Sequence, residues 1–227
     1  MHKVKVLLTE PVTHDVNRYI LEKPVGYKFT PGQAVNIAIN KKGFEDKLHE
    51  FTFTSLNQDK VLEFTIKSYD PKKVPDHEGV TWELLKLSPG DELLIENEPW
   101  GTIQYKGKGV FIAGGAGITP FIAIFKDLYK KGKLSGNKLI FSNKQKRDII
   151  LEKEFENMFD QDDLVLTLTR EKRPGYEHGR IDEAMVRKYI DDFSQHLYIC
   201  GPKPFIATIK ETLAKLGAKT DSVVFEE

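Results

Sequence analysis

The sequence predicts two domains, an N-terminal antiparallel β-barrel followed by an α/β domain built on a five-stranded parallel sheet. Three observations carry this. The first hundred residues hold about six short runs rich in β-branched and aromatic residues, many of them separated by turn formers. The second half alternates strand-like and helix-like segments, the pattern of parallel βαβ units with helices on both faces. Between them, Lys106-Gly107-Lys108-Gly109 reads as a linker, so the domains are expected at 1–105 and 106–227.

In the first half the strand-like runs cover 4–10, 19–24, 34–40, 50–55, 61–69 and 91–97. Pro31-Gly32 and Pro89-Gly90 mark turns. Only 81–87, TWELLKL, has helical character, with Thr81 placed to cap it and Pro89-Gly90 to stop it. In the second half GVFIAG, 109–114, is a buried strand. A helix is expected over 121–131, where Phe121, Ile124, Phe125 and Leu128 share a face and Gly132 ends the run. Strands then follow at 138–143, 164–170, 196–201 and 222–226, with helices between them at 148–159, 182–190 and 203–217.

Composition narrows the function classes. Lys plus Arg and Asp plus Glu are 34 each, a formal charge of zero that offers no general attraction to nucleic acid or membrane. The single cysteine, Cys200, forms no internal disulfide and holds no iron–sulfur cluster alone. The six histidines include no close pair at helical ligand spacing, so no metal site is expected. The apolar run at the N-terminus is too short for a signal peptide and no stretch reaches the length of a membrane span. The expectation is a soluble cytoplasmic protein.

The strongest local signal is Gly114-Gly115-Ala116-Gly117-Ile118-Thr119-Pro120, between a strand and a helix. Glycines there let the backbone approach a ligand, and a helix N-terminus offers unpaired N–H groups to a diphosphate. Pro120 suits the first helical turn, where its missing N–H would have lacked a partner anyway. The pattern is G-x-G-x-x-P, without the third glycine of the common dinucleotide fingerprint. The second strand ends in Ser142-Asn143-Lys144 rather than in an acid that would grip a ribose hydroxyl, which leans towards a phosphorylated ribose. A second signal, Cys200-Gly201-Pro202-Lys203-Pro204-Phe205, again joins a strand to a helix. With strand order 3-2-1-4-5, the loops after strands 1 and 4 flank one crevice at the switch point.

The order of a β-rich half, then G-G-x-G-I-T-P, then C-G-P-x-x-F, resembles the ferredoxin–NADP reductase family, and most of all its short bacterial flavodoxin and ferredoxin reductases. The resemblance runs from about Val4 to Phe225. It implies that the barrel binds flavin and the α/β domain binds a nicotinamide dinucleotide. Gly114, Gly115, Gly117, Ile118, Thr119 and Pro120 would then hold the dinucleotide phosphates, with Cys200, Gly201, Pro202 and Phe205 near the nicotinamide. The family's flavin signature R-x-Y-[ST]-x-x-S aligns with His49-Glu50-Phe51-Thr52-Phe53-Thr54-Ser55, where Thr52 and Ser55 agree. His49 replaces the arginine that reaches the flavin phosphates, and Phe51 the tyrosine that packs on the ring. Phe64-Thr65-Ile66-Lys67 resembles the segment that edges the ring, and Gly79-Val80-Thr81 the phosphate turn G-x-[ST].

The family often places a Ser/Thr-Arg pair after the third α/β strand to bind the adenosine 2′-phosphate, and Thr169-Arg170 stands there. Phe225 is either the C-terminal aromatic that relatives stack on the flavin or a strand residue. The implied activity is electron transfer from NADPH (or NADH) through FAD (or FMN) to a separate small carrier such as ferredoxin or flavodoxin, since the chain lacks cluster cysteines. Thr52 and Cys200 are the residues expected beside the reacting atoms. Alternatives are a reductase of free flavin and a non-catalytic, redox-sensing flavin module. Lys126, Lys130, Lys131, Lys133, Lys144, Lys146 and Arg147 are candidate docking charges or an ordinary solvated face.

Overall fold

The structure of the protein, a computed structural model, describes residues 1–72, 79–101, 103–219 and 223–225, the last without the Phe225 side chain. The chain divides into two compact units, Met1–Gly101 and Thr102–Glu227.

The first unit is a six-stranded antiparallel sheet rolled into a nearly closed barrel. Its strands are β1 (His2–Pro11), β2 (Val16–Glu22), β3 (Ala34–Ile39), β4 (His49–Thr52), β5 (Val61–Lys67) and β6 (Glu92–Ile95), in the order β4-β3-β6-β1-β2-β5. Closure comes from a single bridge between Phe53 and Phe64, next to which the Thr54 N–H donates to the Glu63 carbonyl at 2.8 Å. In β2 Val16, Tyr19 and Leu21 are buried, and Tyr19 and Leu21, two apart, join the core. The core gathers Val4, Val6, Tyr19, Leu21, Phe29, Val35, Ile37, Phe53, Leu62 and Phe64. Phe53 stacks on Phe29 with ring centroids 4.1 Å apart and tilts against Phe64 at 4.9 Å. Burying each such ring contributes about 1.5–3 kcal/mol.

A short helix, α1 (Val80–Leu84), covers one side through Val80 and Leu84. Thr81 is not its cap, contrary to the sequence expectation. Gly79 holds that position, and Thr81 sits inside the first turn, buried, where its hydroxyl accepts the Tyr69 N–H at 3.2 Å. The regular helix also stops at Leu84, short of residue 87, and single-turn bonds to Lys86 and Leu87 finish the run.

The second unit is a parallel sheet of β7 (Gly109–Gly114), β8 (Lys138–Asn143), β9 (Leu164–Leu168), β10 (Glu177–His178), β11 (His196–Cys200) and β12 (Val223–Phe225), in the order β10-β9-β8-β7-β11-β12. The five expected strands stand in the expected order. β10 adds a sixth at the edge, and two residues are too few to leave a strand pattern in sequence. Helices α2 (Thr119–Lys130) and α3 (Glu152–Met158) cover one face, where Phe111, Phe121, Phe125, Phe141 and Phe155 pack edge to face. Helices α4 (Glu183–Tyr189) and α5 (Lys203–Lys215) cover the other.

α2 ends at Gly132, as its sequence predicts. Gly132 has φ 64°, its N–H reaches the Tyr129 carbonyl, and the Lys133 N–H reaches Leu128, the paired bonds of a Schellman stop. α4 begins with Asp182 accepting the Met185 N–H at 2.8 Å. The helix expected over 148–159 is shorter than its pattern suggests. Gln145 and Asp148 close a capping box around a 3-10 turn, which spends Asp148 before the helix begins. Ile149, Ile150 and Leu151 are buried in an irregular segment, and Leu151 turns through φ 55° before Glu152 starts α3. A leucine held there costs about 1–2 kcal/mol, offset by its burial.

Tyr105 belongs physically to the second unit. Its ring stacks with Phe111 and Tyr198, and the Tyr198 hydroxyl takes the N–H groups of Lys106 and Gly107 while donating to the Gly107 carbonyl. The segment read as a linker is therefore fastened to the α/β unit.

Candidate functional site

β7 and β11 are neighbours, with Ala113 opposite Cys200, so the loops that follow them leave the sheet side by side. The first runs Gly114, a 3-10 turn over Gly115–Ile118, then α2 with Thr119 and Pro120 in its opening turn. The second runs Cys200, Gly201, Pro202 and then α5. A Cβ on Gly117 would stand 2.4 Å from both the Cys200 carbonyl oxygen and the Gly201 nitrogen. A Cβ on Gly114 would stand 3.1 Å from the Phe205 ring, and one on Gly201 2.7 Å from it. Gly115 is glycine for a different reason: it has φ 56° with nothing within 4 Å of where a Cβ would lie. The two motifs thus form one interlocked structure. Ile118 is buried beneath it, and the Thr119 hydroxyl donates to the Ala116 carbonyl at 3.0 Å. Cys200 is half-buried. The N–H groups at the start of the 12-residue α2 suit a diphosphate, and of the three glycines before it Gly115 has open space beside it.

Next along the sheet, Thr169 and Arg170 extend beyond β9 and pair with the end of β8. The Thr169 N–H donates to Asn143 and the Arg170 N–H to Lys144, both at 2.9 Å. The Arg170 side chain is exposed. The Asn143 side chain is buried, and neither amide atom has a hydrogen-bond partner. Sequence reasoning passed over a pocket of about 550 Å³ here, lined by Gln145, Lys146, Arg147, Glu171 and Arg173. The Lys146 N–H, with Arg173 beside it, holds the Glu171 carboxyl below its usual range. The one available sequence signal was the density of charge after two successive strands.

The barrel residues separate into two groups. His49, Phe51 and Thr52 are half-buried on β4, with Val35 opposite Phe51 and Ala34 opposite Thr52. Phe53, Thr54 and Ser55 are buried. Phe53 is wholly buried, the Thr54 hydroxyl donates to Glu63 at 2.8 Å, and the Ser55 hydroxyl accepts the Glu63 N–H at 2.9 Å. Ile66 is in the core, and Lys67 pairs with Asp15 at 2.9 Å. Gly79 has φ 79° and nothing within 4 Å of a Cβ, so the backbone entering α1 is open to a ligand, while Val80 and Thr81 are buried behind it. Phe225 lies in β12 opposite Ile199, and its side chain is outside the described residues.

Residues 111–211 match the family described as the oxidoreductase NAD-binding domain. The sequence is 29% identical to NADH-cytochrome b5 reductase 2 of Mycosarcoma maydis, over 94% of this chain and 69% of that one. It is 24% identical to the reductase component of propane 2-monooxygenase of Rhodococcus jostii, over 99% of this chain and 63% of that protein. It spans 61% of the glycine betaine monooxygenase reductase subunit of Chromohalobacter salexigens, at 25% identity and over 95% of this chain. These last two relatives are therefore more than half as long again as this chain. Among solved structures, a ferredoxin NADP+ reductase of Neisseria gonorrhoeae with bound FAD and NADP has the same fold, with a TM-score of 0.81 at 18% identity, covering 99% of this chain and 97% of that one. Barrel, parallel sheet and interlocked glycine loops agree with these likenesses: the chain has the two-domain fold of the ferredoxin NADP+ reductase, and its residues 111–211 are similar to the oxidoreductase NAD-binding domain.

Proposed function

We propose that this chain takes electrons from a nicotinamide dinucleotide, NADPH in preference to NADH, and passes them through FAD to a separate one-electron carrier protein. The observation that carries the reading is the contact of Gly117 with the Cys200–Gly201 backbone, which joins two glycine loops into one cradle at the switch point of the sheet. Gly114, Gly115, Gly117 and the first turn of α2 hold the diphosphate by their N–H groups. Cys200, Gly201, Pro202 and Phe205 position the nicotinamide end, and Thr169 and Arg170 serve the adenosine ribose.

On the barrel, His49, Phe51 and Thr52 with the open backbone at Gly79 are the residues for the flavin. The side chains of Phe53, Thr54, Ser55, Ile66, Val80 and Thr81 support these from behind, and Lys67 does so through its pair with Asp15. In this reading Thr52 is the barrel residue that serves the flavin's reacting end, and Cys200 the residue of the α/β unit that serves the nicotinamide. The flavin, when bound, supplies the exchange between two-electron and one-electron chemistry, and the protein's part is binding and orientation.

A protein acceptor is supported by the relatives, among them a reductase of cytochrome b5 and the reductase component of a monooxygenase. A small ferredoxin or flavodoxin is the acceptor proposed. The test is the absorption spectrum of the purified, flavin-loaded chain before and after NADPH under anaerobic conditions, followed by turnover with a dye and with a ferredoxin. Bleaching of the flavin band and reduction of the carrier are expected. A chain that takes up no flavin, or flavin that NADPH and NADH both leave oxidised, rejects the proposal.

A further inference from the structure

The pocket beyond β8 and β9 has the makings of a phosphate subsite, but one of its own residues already occupies the donors. Lys146, Arg147 and Arg173 give it three cations, and Glu171 is its single carboxylate. Glu171 Oε2 accepts the Lys146 backbone N–H at 2.9 Å, and Oε1 accepts Arg173 Nη1 at 3.1 Å. A backbone N–H on a 3-10 turn plus a guanidinium is a donor set suited to a phosphate. The Lys146 ammonium is engaged elsewhere, 3.8 Å from Glu152 and over the Tyr176 ring, so it lends field to the pocket rather than a ready hydrogen bond. Arg170, the residue assigned to the phosphate by its place in the sequence, does not line this pocket, though its backbone is tied to Lys144 next to it.

Resting on the dinucleotide reading above, we propose that Glu171 determines specificity at the adenosine end: its carboxylate occupies the donors at Lys146 N–H and Arg173 and must give way before a ribose 2′-phosphate can enter. Glu171 then limits the preference for the phosphorylated dinucleotide. An entering phosphate dianion meets a like charge and finds its best donors taken, whereas an unphosphorylated ribose displaces nothing. The two glycine loops are untouched by this competition, because they act on the diphosphate that both dinucleotides share.

Calorimetric titration of the full chain with 5′-AMP, 2′,5′-ADP and inorganic phosphate tests it, on wild type, Glu171→Gln and Glu171→Gln combined with Arg147→Ala. At low salt Glu171→Gln should raise the affinity ratio of 2′,5′-ADP to 5′-AMP by about tenfold, the effect of removing one screened like charge at close range. Affinity for 5′-AMP should stay unchanged, and adding Arg147→Ala should abolish most of the gain. High salt should shrink it. An unchanged ratio in Glu171→Gln, with 5′-AMP still bound, overturns the role of Glu171 and leaves the dinucleotide reading standing. An equal gain for inorganic phosphate overturns it too, because the pocket is then an ion cluster and not part of a nucleotide site. If wild type binds neither nucleotide, nor NADPH nor NADH, the dinucleotide reading falls and takes this proposal with it.

Discussion

Gly117 lies directly against the carbonyl group of Cys200: a Cβ at residue 117 would stand 2.4 Å from that oxygen and 2.5 Å from its carbon. Both partners are backbone, so no side-chain rotation relieves the clash. Either the turn before α2 or the end of β11 must move. Gly117→Ala should therefore lower stability by about 2–3 kcal/mol and weaken NADPH binding at least tenfold. Gly115→Ala is the control. Its cost is conformational, about 1–2 kcal/mol for φ 56°, with open space for the methyl group. Urea unfolding and calorimetry on both variants check this. Equal binding losses in the two would mean that the Gly117–Cys200 contact has no special part in shaping the site.

Phe51 and Phe53 are two residues apart and differ in burial. Phe53 has no exposed surface and packs among Phe29, Phe64 and Tyr27, whereas Phe51 is half-buried on β4. Phe53→Ala should cost about 3–5 kcal/mol. Phe51→Ala should cost about 1–2 kcal/mol and lower the flavin bound per chain if Phe51 covers the ring. The urea midpoint and the flavin-to-protein absorbance ratio separate the two effects. A Phe51→Ala protein that retains full flavin removes Phe51 from the proposed site.

That contrast shows where the sequence stops being legible. Strand runs and the strand–helix alternation can be read because burial imposes a period on the chain. The glycine cradle can be read because close backbone approach demands residues without a Cβ, and Gly114, Gly117 and Gly201 carry that demand in their identity. Phe51 and Phe53 share a parity, so alternation cannot part them. Both meet the barrel core, and they differ in enclosure: Phe53 bridges to Phe64 and is fully covered, whereas Phe51 packs at the margin of the same core and stays partly exposed. The pocket of Lys146, Arg147, Glu171 and Arg173 was invisible for a similar reason. Each charge alone reads as solvated surface, and only the pairing of β8 with β9 brings residues some 25 apart to one place. Thr81 reads as a helix cap until Tyr69 is found to use its hydroxyl.

Glu83 supplies a pH prediction. Its side chain is 8% exposed, in α1, and pairs with Lys41 and with Lys86, the latter at 2.5 Å. Hydrogen bonds from Lys41 first and Lys86 second hold its pKa below 4.5 in the folded chain. A depressed folded pKa means that the contribution is complete above the unfolded value and is lost as the pH falls through the lower folded one. Glu83→Gln should therefore cost about 1–2 kcal/mol at neutral pH, and the cost should shrink as the pH falls through and below the ordinary carboxylate range. Both lysines are more than half exposed, so added salt should reduce the loss. Urea titrations of the two proteins across this range provide the measurement, and a difference independent of pH would mean that packing, not charge, is what Glu83 contributes.

Tyr198 gives the sharpest test of how the segment before β7 is held. Its ring lies 4.2 Å from that of Phe111, nearly parallel, and is fully buried. Its hydroxyl accepts from Lys106 N at 2.9 Å and Gly107 N at 3.0 Å and donates to the Gly107 carbonyl at 2.8 Å. One oxygen thus satisfies three backbone groups in a stretch that contains no regular element. Burial pushes the phenol's pKa up, so the hydroxyl keeps its proton, and hence its bond to Gly107, well into the alkaline range. Tyr198→Phe keeps the stack and removes only the oxygen. It should cost about 1–3 kcal/mol for the groups left unpaired, less if water reaches them. The informative readout is local. Amide hydrogen exchange at Lys106 and Gly107 should accelerate by at least tenfold, while the strand amides of Val110 and Ile112 retain their protection relative to global stability. Tyr105→Phe, which removes a hydroxyl that donates to Asn137 at 3.3 Å, should leave the exchange at Lys106 and Gly107 nearly unchanged. Uniform acceleration across the α/β unit in Tyr198→Phe would show that the hydroxyl stabilises the whole unit and does not pin the segment in particular.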